Sequence, residues 1–141
     1  MSELKINAAL VQGLTAAALG IPTGNEGKNF DPPAVTLPWA KWHNLPASTD
    51  VASLGAGGVD ETVGVFQVDL NYPMNDGTGN ILAAVQKLRN YFVAGRRLVY
   101  DGQCVHVDRV TRGNLRPVDG WQRISVSIYY SATTIRPEVS P

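Results

Sequence analysis

Cys104, His106 and Asp108 alternate in the run "QCVHVDRV", and on a β-strand every second side chain shares one face. A thiol, an imidazole and a carboxylate in that order have the types needed for a nucleophile, its base and the group that orients the base. The same spacing arises by chance on many strands. Neither a glycine-flanked nucleophile turn nor a recognisable oxyanion-binding segment accompanies it, so the sequence favours a cysteine packed as a small apolar residue. A single cysteine allows no internal disulfide and no thiolate zinc cluster. His43 is the other of two histidines, and nothing in their spacing resembles a zinc-binding helix. No catalytic residue, metal or cofactor is expected.

A second stretch, "NDGTGN" at residues 75–80, is glycine-rich and leads into a helical pattern, the arrangement in which backbone N–H groups hold phosphates. Its first following cation is Lys87, two turns on, and Asp76 puts a carboxylate where a phosphate would sit. Capping of the helix by Asp76 or Thr78 accounts for the segment as a hinge.

Arginine outnumbers lysine eight to four, and Arg96, Arg97, Arg109, Arg112 and Arg116 cluster in the second half with Arg123. Guanidinium groups in such number serve a solvated surface, a protein interface or a phosphate backbone. A net charge of zero weighs against the last. Trp39 and Trp42 lie three apart in "LPWAKWHNLP" and face opposite sides of a strand, leaving at least one for a neighbour.

Several elements must position these groups. "SELKINAALVQGLTAAALG" has helical spacing, with Leu4, Leu10, Val11, Leu14 and Ala18 near one side, Ile6 and Ala17 flanking it, Ser2 as cap and Gly20 as stop. Residues 21–62 read as a long Pro/Gly-rich loop holding one short edge strand around Trp39–Asn44. "ETVGVFQVDLNYP" alternates, with Gly64, Phe66, Val68, Leu70 and Tyr72 as the core set. "NILAAVQKLRNYFVAG" puts Ile81, Val85, Leu88 and Phe92 on one helical face and ends at Gly95. Asp101-Gly102 marks a hairpin, and "WQRISVSIYYSATT" is a final strand with Ile124, Val126, Ile128 and Tyr130 inward. The sum is one α+β domain over 1–141: a small, mostly antiparallel sheet, two helices on one face, and a tail from about 133.

The totals agree with one ordinary globular domain, 44% hydrophobic and only 17% charged. Low charge leaves surface for partners. Residues 1–80 carry three basic and eight acidic residues, net −5, and residues 81–141 carry nine and four, net +5. Such a chain could mate head to tail with its copies, unless the halves interleave in space. No apolar run approaches the ~20 residues that span a bilayer, and "MSELKINAAL" lacks a basic leader. A cytoplasmic site of synthesis and no membrane partner are expected.

"VGVFQVDLNYPMNDGTGNILAAVQKLRNYFVAGRRLVYDGQCVHV", followed by "WQRISVSIYY", resembles the tail terminator proteins of long-tailed, lambda-like bacteriophages, over roughly Ser2 to Ala132. The resemblance implies a non-enzymatic virion protein at the head-proximal end of the tail. It implies a homo-hexameric ring that caps the tail tube, stops polymerisation once the tape-measure protein is covered, and joins the connector at the neck. DNA would pass through that ring without sequence-specific binding. By the same analogy the expected interface residues are Trp39 and Trp42 within the 24–60 loop and Arg96, Arg97, Arg109, Arg112 and Arg116. Another neck or head-completion protein, and a small-molecule binder or enzyme built on the Cys104 face, are the competing readings.

Overall fold

The computed structural model describes residues 2–27, 31–32, 37–51 and 58–135. In chain order they form α1 (Ser2–Ala16), β1 (Thr23–Gly24), β2 (Trp39–Val51), β3 (Val59–Pro73), α2 (Gly79–Tyr91), β4 (Arg97–Tyr100), β5 (Gln103–Arg112), β6 (Arg116–Val118) and β7 (Trp121–Ile135). The expected order of elements is present, with two short strands, β1 and β6, added. Strands make up 49% of the chain. The sheet is therefore larger than expected, seven strands in the order β1-β2-β3-β7-β5-β4, with β6 also paired to β7. It is mixed, since β1 runs parallel to β2, and it curls into half a barrel. The physical reason lies in β3 and β7, each 15 residues long, over which the right-handed strand twist accumulates.

Thirteen residues of the supposed loop form β2, paired to β3 from Trp39 to Val51. Its ladder slips between Pro46 and Ser48, a bulge that accommodates the proline, which has no N–H to give. The "GAGG" tract lies mostly in 52–57, and the end of the tail in 136–141, both outside the described residues.

One face of the sheet and both helices share a single core. Phe66, Val68 and Leu70 of β3, Ile124, Val126 and Ile128 of β7, and Val105 and Val107 of β5 are buried there with α2's Ile81, Val85 and Leu88. α1 contributes Ile6, Ala9, Leu10 and Leu14, a stripe rotated from the expected one; Leu4 is 67% exposed. The helix also stops earlier, because Ala18 takes a left-handed φ of 55° before Gly20 is reached. α2 likewise ends at Tyr91, ahead of Gly95. Asp101-Gly102 makes the expected tight turn, φ 46° and 83°; Asp119-Gly120 makes the same turn between β6 and β7, φ 49° and 89°.

A buried polar relay ties the layers together. Tyr130 Oη donates to Asn44 Oδ1 at 2.7 Å, and Asn44 Nδ2 donates to Asn7 Oδ1 of α1 at 3.1 Å. Burial raises the Tyr130 phenol above its usual 10.0, and Glu3's charge adds to the rise. Tyr72 is raised too, first by burial and then by Asp76. Above pH 10.0 the unfolded chain releases these protons while the folded chain keeps them, so stability is full below that pH and falls above it. Urea midpoints should drop as the solution passes pH 10.0, and Tyr130→Phe should flatten that slope.

Candidate functional site

The Cys104 face does not assemble a triad. Cys104 is half-buried, its sulfur 3.8 Å from His106 Nε2 and within 3.3 Å of the Arg97 Nε donor. A bulge between Val107 and Arg109 breaks the alternation at Asp108, whose carboxylate accepts from Ser131 Oγ at 3.2 Å. The "NDGTGN" stretch is a turn, with Asn75 at φ 65° and Gly77 at φ 75°. Thr78 is the cap residue of α2, yet its side chain makes no capping bond, and Asp76 accepts instead from Asn80 Nδ2 at 3.0 Å. The expected side-chain cap is thus corrected: the backbone makes the turn, through Leu82 N–H to Thr78 O, and Asp76 is held by a side chain one turn on.

A constellation unforeseen in the sequence occupies the sheet face opposite the core. Asp69 and Asn71 of β3 are buried, Asn71 completely. Asp69 Oδ1 accepts from Ser125 Oγ at 2.6 Å and from Gln67 Nε2 at 2.9 Å, and Oδ2 lies 3.5 Å from His43 Nε2. Arg116 donates to Ser125 Oγ at 3.2 Å, Arg123 Nε to Asn71 Oδ1 at 2.7 Å, and Glu26 lies 3.7 Å from His43 Nδ1. Serine, histidine and aspartate meet here, but in the wrong order for nucleophilic chemistry. The hydroxyl gives its proton to the carboxylate, and the imidazole sits on the carboxylate's far oxygen rather than against the serine. The network braces four strands. Its signal in the sequence was "VDLNY", where polar residues in a long central strand must be paired. Asp69→Ala strips the acceptor from Ser125 and Gln67; a loss of about 1–3 kcal/mol is expected in chemical denaturation.

The two tryptophans do face opposite sides. Trp42 is in the core, stacked 5.4 Å from Phe66, its Nε1 donating to Asn25 Oδ1 at 2.7 Å. Trp39 is on the outer face, edge-on to Trp121 at 5.7 Å, and is 8% exposed. Both are thus covered within one chain. A cleft of about 340 Å³ opens between Val11, Leu14, Leu19, Ile21, Asn25 and Trp42. No acid, base or thiol lines it. Among the described residues no cluster of three metal-ligating side chains occurs, and no helix is long and apolar enough to cross a membrane.

The arginines sit apart from this face's centre. Arg97 on β4, Arg109 and Arg112 on β5 and Arg116 on β6 are exposed along one side of the sheet. Arg96 is partly covered and stacks over Tyr91 at 4.4 Å, while Arg109 stacks over Tyr129 at 4.0 Å. The structure thus groups four of the five expected interface arginines on a single edge.

Comparison with known proteins decides what this scaffold is. A family model described as phage tail terminator protein matches residues 5–130. The chain belongs to the phage tail terminator family. Family membership makes this terminator a structural component of the phage virion tail. No curated protein matches its sequence. Solved structures share the terminator's fold; one is 24% identical, with a TM-score of 0.75, covering 98% of this chain and 99% of its own.

Proposed function

We propose that this protein closes into a ring, six copies in the family pattern, on the last ring of the tail tube. There it ends tube polymerisation and presents the surface that joins the head. The observation that carries this reading is the family match across residues 5–130, nearly the whole described chain. The geometry accords with it: the charged groups stand on edges and braces rather than around a pocket, and the one Cys-His pair lacks its third member. Its partners are then further copies of itself, the tube protein, the connector at the neck and the tape-measure protein, with DNA passing through unread.

Negative-stain electron microscopy of particles from a phage lacking the gene tests the proposal. Headless tails of uncontrolled length are expected. Free tails of normal length would overturn it in favour of a head-completion role, and normal infectious virions would dismiss both.

A further inference from the structure

The strands of the two halves keep to their own sides of the sheet, while the helices cross over, α1 packing on β4 and β5 and α2 on β3. The strand order sets β1, β2 and β3 side by side and places β4, β5 and β6 on the other side of β7. Residues 17–78, which hold the first three strands and their connections, carry two basic and seven acidic residues, net −5. Residues 92–135, which hold the other four strands, carry six basic and three acidic residues, net +3. The charge carried by the strands and their connections is therefore laid out across the sheet, while α2, with Lys87 and Arg89, lies over β3.

The basic edge is built for contact. None of Arg96, Arg97, Arg109, Arg112, Arg116 and Arg123 lies within ion-pair distance of a carboxylate among the described residues; the ion pairs there involve Lys5 and His43. The guanidinium groups are held instead by aromatic rings, a thiol, a hydroxyl, a side-chain amide and a backbone carbonyl. These contacts orient them without neutralising them. Toward the other edge, Glu26 after β1 and Glu61 on β3, one strand in, are exposed.

The two edges also match in level. Glu26 accepts from the N–H of Asn44, and Asn44, Phe66, Ile128 and Val110 share one row across the sheet. That row falls between Arg109 and Arg112. The Asp50–Glu61–Thr133 row lies two residues from the Val63–Ser131–His106–Arg97 row, about 7 Å along the strands. Two copies placed side by side with strands level thus bring Glu26 toward Arg109 and Arg112, and Glu61 toward Arg97.

We infer that the acidic β1/β2 edge of one copy docks against the arginine-bearing β4/β5 edge of the next copy. The inference rests on the ring reading above and says which surfaces close it. Two different edges meeting head to tail make a heterologous contact, the kind that generates rings. The contact is between side chains rather than a shared ladder. On β2, Pro46, the bulge beside it and the Glu26 carboxylate on Asn44 N–H all obstruct strand addition.

The test uses the full chain with two charge reversals, Arg97→Glu/Arg112→Glu on one edge and Glu26→Lys/Glu61→Lys on the other. Native mass spectrometry and sedimentation are run on each alone and with tail tubes, after thermal melts show the variants folded. Each double variant should lose self-association by more than about tenfold, and salt should weaken the wild-type assembly. An equimolar mixture of the two should recover it as an alternating assembly with an even number of copies. Wild-type rings that survive either reversal, or a mixture that stays apart, would overturn the edge assignment and leave the ring standing. A wild-type chain that self-associates neither alone nor on tubes would remove the ring reading itself.

Discussion

Gly64→Ala lowers the unfolding free energy by about 3 kcal/mol or more, the largest effect expected of any single methyl group in this protein. A Cβ at residue 64 would lie 2.6 Å from Tyr130 Oη and 2.7 Å from its Cζ, far inside van der Waals contact. Gly64 and Tyr130 are ladder partners on adjacent central strands, so the ring lies across the bare backbone. The tyrosine has nowhere to retreat: it is 1% exposed, and its hydroxyl is bonded to Asn44. Moving it also breaks the relay to Asn7, each bond worth about 1 kcal/mol. Against a total stability of about 5–15 kcal/mol this is a large share. Urea unfolding followed by tryptophan fluorescence gives the value. In a Tyr130→Leu background the same Gly64→Ala change should cost far less. Equal costs in both backgrounds would mean that the tyrosine is not the obstacle.

Phe92→Ala is the second, at about 3–5 kcal/mol. Phe92 caps α2 fully buried, with Tyr91 edge-on at 5.2 Å. Its ring reaches α1 at Gly13, where a Cβ would stand 3.0 Å and 3.1 Å from two ring carbons. The absent side chain of Gly13 is what admits the ring, so after truncation α1 has nothing with which to fill the void. Adding Gly13→Ala to Phe92→Ala should return part of the loss, through occupied volume and a helix propensity gain of about 1 kcal/mol. A loss below about 1 kcal/mol for Phe92→Ala, in the same denaturation experiment, would show that the helices do not depend on this joint.

What the residues reveal in isolation follows from how local the determining physics is. β3, β7 and α2 were legible because their apolar periods are long and uninterrupted, and the Asp101-Gly102 turn because left-handed φ values narrow the choice of residues. β2 was foreshortened in the reading because Pro46 normally ends a strand, whereas here a bulge absorbs it. The core stripe of α1 was misplaced because alanine and glycine, which carry little hydropathy, face the sheet where the packing is closest. Asp69 and Asn71 fall outside the apolar set of β3, yet both are buried. Their burial depends on Ser125 and Arg123, more than fifty positions away, and no local pattern reports that. The arginines were legible as a group, but their common edge follows only from strand order. Charge is a further case: composition left open whether the halves mix, and the fold separates their strands across β7 while the two helices cross over.

That placement of β7 has a consequence in time. The strand at the middle of the sheet comes after every other strand in the order of synthesis, and it pairs with β3, β5 and β6. Until residues 121–135 leave the ribosome, β3 and β5 have no common neighbour, and the acidic and basic sides belong to fragments rather than to one surface. Folding then depends on pairings between residues far apart along the chain, which is slow relative to local contacts. An unfinished chain accordingly offers no matched pair of edges. In the proposed ring, growth would begin from completed subunits, and a truncated product would be left out rather than built in as a defect.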